Sequence, residues 1–138
     1  MNPQAFLDLL GSRPSFISVD GSHECDSVVS DLRCAQSLLA DGGVVAIDDV
    51  LNPRAMGACE GTFRYFLDRS NVTLAPFAYC GNKLFAAKQS DVKEFHHAVW
   101  GFAESNPELA ISREFTRLLA SGRDWVEQKL FGHPVIVL

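Results

Sequence analysis

The sequence predicts an α/β domain built on parallel strands, and three observations carry that prediction. Apolar positions recur at spacings of three and four over residues 24–39 and stop at Gly42-Gly43. An unbroken apolar run, Val44–Ile47, follows at once, and a second helical stripe runs from Asn52-Pro53 to about Asp68. The first and third have the period of an amphipathic helix, and the second is what a strand buried on both faces requires. Strand, helix, strand and helix joined by short connections dictate a right-handed crossover and a parallel sheet.

In chain order, Pro3–Leu10 reads as a short helix with Phe6, Leu7 and Leu10 on one face, ended by Gly11 and Pro14. Phe16–Val19 is β-prone and stops at Asp20-Gly21, a strand ending in a turn. The helix over 24–39 carries Val28, Val29, Leu32, Ala35, Leu38 and Leu39, and Gly42-Gly43 suits its C-terminal stop. After Val44–Ile47, Asn52 is an expected N-cap and Pro53 an expected first helical residue, with Met56, Cys59, Phe63, Phe66 and Leu67 forming the stripe. Residues 72–79 and 83–87 then bracket Gly81-Asn82, a pair suited to a tight hairpin expected at one edge of the sheet. Ser90 is expected to cap a helix bearing Val92, Phe95, Val99 and Phe102, and Asn106-Pro107 to open another bearing Ile111, Phe115, Leu118 and Leu119. A helical turn is expected over residues 125–131, broken by Gly132 and Pro134 before a terminal strand at 135–138. Trp100, Trp125 and the ten phenylalanines fall mostly at expected core positions, which makes an aromatic binding box the weaker reading.

Composition narrows the function. The chain has 138 residues, 47% of them hydrophobic, which suffices for one domain, residues 1–138, with a core that needs no disulfide or structural metal. A net charge of -5 and no run of Lys or Arg exclude a protein that lives by phosphate-backbone contacts, so no nucleic-acid partner is expected. No apolar stretch approaches the ~20 residues of a membrane span, so no membrane partner is expected. The first ten residues carry no basic residue and do not read as a secretion signal, which makes the cytoplasm the expected location. Cys25, Cys34, Cys59 and Cys80 form no C-x-x-C pair and read as reduced thiols. Motifs of P-loop, serine-hydrolase elbow and zinc-protease type are absent from the sequence.

The chemistry concentrates at strand ends. Asp20 ends one strand and Asp48 with Asp49 the next, so parallel pairing brings three carboxylates to the edge where open α/β sheets bind ligands. Crowded carboxylates repel, and a hard cation such as Mg²⁺, Mn²⁺ or Ca²⁺ is the usual way to keep them ionised. The plainer reading is that acidic residues commonly end strands and cap the helices that follow. His23, three residues past Asp20, can reach the same edge as a general base, or be a solvated or capping residue. His96 and His97 are adjacent on a helix and point about 100° apart, so they cannot both ligate one metal from one face. His133 is expected in a loop.

Three runs carry a resemblance: 16–23 (FISVDGSH), then Asp31-Leu32, then 39–50 (LADGGVVAIDDV). They resemble the second half of class I S-adenosylmethionine-dependent methyltransferases, above all the metal-dependent small-molecule O-methyltransferases of macrocin and catechol type and cephalosporin hydroxylase-like proteins. The resemblance spans residues 16–88 and fades over 89–138. It implies a Rossmann-like methyltransferase fold, C-terminal half, with parallel strands, helical crossovers, an antiparallel hairpin and a helical tail. It also implies S-adenosylmethionine as cofactor, a small-molecule substrate, and Mg²⁺ or another divalent cation held by Asp20, Asp48 and Asp49. Where the catechol type has a lysine base, three residues after the first metal ligand, this chain has His23, so Asp20 and His23 are the expected catalytic residues.

The family's glycine-rich cofactor loop finds no counterpart, because only 15 residues precede Phe16, and cofactor-binding residues therefore have no assignment. The resemblance so implies a truncated domain whose strand Phe16–Val19 becomes an edge in search of a partner, through a homodimer or a missing N-terminal half. Two other classes follow from the same residues. One is a non-catalytic remnant that serves as a dimerisation module. The other is a phosphorylation receiver, suggested by the acidic pair in 47–54 but lacking a later phosphoacceptor Asp and Lys in context.

Overall fold

A computed structural model describes residues 3–68, 70–122 and 125–138. Helix α1 (Pro3–Leu10) precedes β1 (Phe16–Val19), α2 (Cys25–Leu38), β2 (Val44–Ile47) and α3 (Met56–Leu67). The chain continues through β3 (Leu74–Cys80), β4 (Lys83–Lys88), α4 (Val92–Ser105), α5 (Ala110–Ala120), β5 (Glu127–Leu130) and β6 (His133–Val137). The six strands form one mixed sheet in the order β1-β2-β4-β3-β6-β5. β1 pairs parallel with β2, as the strand-helix-strand pattern requires. β4 runs antiparallel to both β2 and β3, and β6 runs parallel to β3. The fold is thus mixed α/β, with β1 at one edge and β5 at the other.

Both faces of the sheet are covered. Val28, Leu32 and Ala35 of α2 and Ala58, Tyr65 and Phe66 of α3 bury one face with Val45, Ile47, Leu84 and Val135. Phe77, Ala78 and Ala87 of the opposite face pack against Val92, Phe95 and Val99 of α4, and Phe115 of α5 joins Ala103, Val126 and Ile136. Five consecutive buried residues at the start of β3 follow from this double cover, since neither face of that strand meets water.

The hairpin around Gly81-Asn82 forms, with Cys80 opposite Lys83 and Gly81 at φ +64°. Its expected position at the sheet edge is corrected. β4 sits between β2 and β3, and β6 covers the far side of β3. The helical turn expected over 125–131 is instead strand β5, joined to β6 by the two-residue turn Phe131-Gly132, where both residues have positive φ (52° and 90°). That geometry suits the twist of a hairpin. For Phe131 it is unfavourable, and ring packing offsets the cost: the ring stacks on Phe66 at 4.8 Å and meets Phe63 edge-on at 5.0 Å. His133 and Pro134 accordingly lie within β6, ahead of Ile136 and Val137, the residues that pair with β3.

Three helix starts also move. Asn52 does not cap α3: its Oδ1 accepts from Arg54 N at 2.9 Å and its carbonyl accepts from Ala55 N at 3.0 Å, so turns delay the helix to Met56. Asp91, not Ser90, precedes α4, and its carboxylate accepts from Gly42 N at 2.9 Å. Asn106 closes α4 by donating from Nδ2 to the Phe102 carbonyl, and α5 opens only after Leu109. Trp125, Phe16 and Phe102 are exposed, exceptions to the expectation that these aromatic residues fall mostly at core positions.

Helices α2 and α3 approach closely because α3 carries Gly57 and Gly61. A methyl group on Gly61 would lie 2.6 Å from the Cys25 carbonyl oxygen and 2.8 Å from Val28 Cβ, and one on Gly57 only 2.0 Å from the His23 carbonyl oxygen. Tyr65 reinforces the junction, its hydroxyl donating to Gln36 Oε1 at 2.6 Å. Gly61→Ala should therefore force the helices apart and lower stability by about 1–3 kcal/mol. Urea denaturation should show a lower midpoint with an unchanged slope; a midpoint equal to that of the parent would contradict this packing.

Candidate functional site

The parallel β1/β2 ladder ends with Asp48 N donating to the Val19 carbonyl at 3.0 Å, which sets Asp20 and Asp48 side by side at the strands' C-terminal ends. Beyond Ile47 the chain turns sharply, with Asp49 at φ 57° and Leu51 at φ 78°, both in the left-handed region that disfavours such residues. Asp49 is held there from three sides. Its Oδ1 accepts from Asn52 Nδ2 at 2.7 Å and Asn82 Nδ2 at 2.6 Å, and its Oδ2 lies 3.0 Å from His23 Nε2. Val50 N donates to the Asn82 carbonyl, so this loop is docked on the β3–β4 turn.

His23 and Asp49 differ in exposure: the imidazole is 51% exposed and the carboxylate 13%. The arrangement is an imidazole half open to solvent and oriented by a mostly buried carboxylate. The loop that carries His23 is fixed because its carbonyl lies against Gly57 of α3.

Asp48 is held by Lys83, the residue that follows Asn82. Its side chain is 14% exposed, and its Oδ1 is buried 2.5 Å from Lys83 Nζ, an ion pair without conventional hydrogen-bond angles. The Lys83 ammonium holds the Asp48 carboxyl below its ordinary value of 3.8, against the opposing effect of burial. Asp48 in turn raises Lys83 above 10.5, and the charges of Asp20 and Asp49 add to the rise.

All four residues expected from the sequence, Asp20, His23, Asp48 and Asp49, gather at this edge. Sequence reasoning missed Asn52, Asn82 and Lys83. The Gly81-Asn82 turn was the available signal for the last two, because pairing β4 with β2 sets Leu84 opposite Ile47 and Lys83 next to Asp48. His96 stands elsewhere, with Nε2 2.9 Å from Glu127 Oε2 in a hollow of about 450 Å³ that Trp100 and His97 also line. The four cysteines are free thiols, as expected, and Arg64 donates to Cys25 Sγ at 3.0 Å and Asp26 Oδ1 at 2.9 Å.

The expected divalent cation does not fit this arrangement. Among the described residues no three His, Cys, Asp or Glu side chains are placed to hold a metal ion. Both oxygens of Asp49 are taken up by protein donors, and the buried oxygen of Asp48 faces an ammonium. A nucleoside cofactor does not fit within the edge either, since the enclosed space between Val19, His23 and Asp48 is about 10 Å³, room for about one water. A larger groove of about 310 Å³ opens beside it, running from Asp20 and Gly21 past Asp31 to Phe6 along the free side of β1.

No protein-family model, curated protein or solved structure matches the chain. No helix among the described residues is long and apolar enough to cross a membrane.

The Asp48–Lys83 pair sets a pH dependence at both extremes. Asp48 is lowered on folding, so its stabilisation is complete above pH 3.8 and lost as pH falls through the folded value. Lys83 is raised, so its stabilisation is complete below pH 10.5 and lost as pH rises through the folded value. Thermal melts should therefore show a shallower acid limb for Asp48→Asn and a shallower alkaline limb for Lys83→Met than for the parent chain. Identical limbs would contradict the pairing.

Proposed function

We propose that this chain is the acceptor-side half of a class I S-adenosylmethionine-dependent methyltransferase fold, serving methyl transfer to a hydroxyl of a small molecule. The observation that carries the reading is the His23–Asp49 pair, 3.0 Å apart at the C-terminal edge of two parallel strands. An imidazole so held accepts a hydroxyl proton as the oxygen becomes nucleophilic, and the carboxylate stabilises the imidazolium that forms. The sequence resemblance over residues 16–88 supports the same reading, as does a parallel pair flanked by an antiparallel hairpin. On this reading the cofactor's own binding elements lie against β1, where the groove beside Asp20 is open.

A second reading, a non-catalytic dimerisation module, is favoured by the β1 edge itself. Phe16 is 58% exposed there, and Leu9 of the neighbouring α1 is 82% exposed. The backbone of Ser18 points away from β2, because Ser15 and Val19 direct their carbonyls toward it and parallel strands alternate. Such an edge recruits a further strand.

Calorimetric titration with S-adenosylmethionine, with and without excess Mg²⁺, tests the first reading. Saturable binding at micromolar cofactor is expected of the assembled chain, and His23→Gln should keep that binding while losing methyl transfer. Absence of heat would overturn the enzyme reading in favour of the module. Light scattering tests the assembly: a dimer is expected at tens of micromolar, and Ser18→Pro, which removes an outward N–H without touching the β1/β2 ladder, should give a folded monomer. A parent chain that is itself a monomer would contradict docking along β1.

A further inference from the structure

We propose that Lys83 is the resident cation of the acidic sheet edge, an ammonium that neutralises the strand-end carboxylates where the sequence pattern suggests a divalent ion. Lys83 opens β4 directly after the two-residue turn, so its backbone is fixed by pairing to Cys80 on one side and by the β2 ladder on the other. Its Nζ lies 2.5 Å from the buried Asp48 Oδ1, an oxygen that no other donor reaches. Asp20 and Asp49 act on the same ammonium electrostatically. Ca²⁺ takes about six to eight oxygen ligands and Mg²⁺ about six. Here Asn52, Asn82 and His23 already claim the oxygens of Asp49, and a like charge guards Asp48.

The chemical consequence concerns the ligand. Lys83 is 40% exposed and keeps a face to solvent, so an oxygen-bearing small molecule arriving at this edge meets an N–H donor beside Asp48 in place of a metal. The Asp48–Lys83 pair is formed by the chain's own charges whether or not methyl transfer occurs at this edge, so neither cofactor nor activity is needed to probe it.

The test is Mn²⁺ binding followed by electron paramagnetic resonance on the full chain, together with thermal melts. The parent chain should show no saturable binding up to about 1 mM Mn²⁺, the weak limit of oxygen-ligand sites. Lys83→Met should bind Mn²⁺ at least about tenfold more tightly and regain lost thermal stability when it is added, whereas K83M combined with D48N should do neither. Saturable binding by the parent chain that Asp48→Asn abolishes would overturn the proposal. So would a folded Lys83→Met protein that gains no affinity for Mn²⁺. Should Lys83→Met fail to fold, Lys83→Gln takes its place in the same titration, and a folded variant that gains no affinity for Mn²⁺ refutes the resident cation.

Discussion

The insertion of β4 between β2 and β3 is the constraint on which the rest of this structure depends. It makes the β3–β4 turn a wall of the acidic edge, because the register that pairs Ile47 with Leu84 carries Asn82 to Asp49 and Lys83 to Asp48. Were the hairpin attached elsewhere, Asp48 would keep a buried oxygen with no countercharge, an arrangement that burial penalises. The same insertion leaves β3 facing β6, which gives the apolar residues of β3 neighbours on both sides. Sheet order and site chemistry are therefore a single decision.

The helices serve that decision from one face. Gly57 and Gly61 let α3 lie against the start of α2, and the loop between β1 and α2 is thereby fixed close to the loop after β2. His23 and Asp49 meet because these two loops are fixed. Asp49 and Leu51 adopt left-handed backbone conformations in the same short stretch, and the hydrogen bonds from Asn52 and Asn82 offset the cost at Asp49. Strain held by surrounding contacts at a strand end is a feature of sites that orient side chains, and here it directs the Asp49 carboxylate at the imidazole.

The sequence made some of this legible and hid the rest for physical reasons. α2, β2 and the β3–β4 turn were readable because local period and turn chemistry determine them, and the four site residues were readable because they end parallel strands or follow them. β5 was not: Glu127, Gln128 and Lys129 show no apolar alternation, since that edge strand is mostly exposed. Its turn was hidden too, because Phe131 takes a glycine-like conformation that only packing against Phe63 and Phe66 makes tolerable. Lys83 escaped notice because its role depends on which strand β4 joins, a long-range choice that local pattern does not encode. The same gap explains the metal: three aspartates at strand ends suggest a cation until the lysine beside them is placed.

Nuclear Overhauser measurements across β2 and β4 test the account most directly, since they read strand order and ion pair together. Cross-strand contacts between Ala46 and Phe85 and between Ile47 and Leu84 are predicted, along with contacts from the Lys83 Hε protons to the Asp48 Hβ protons. Contacts joining β2 directly to β3, with the Lys83 side chain remote from Asp48, would contradict it.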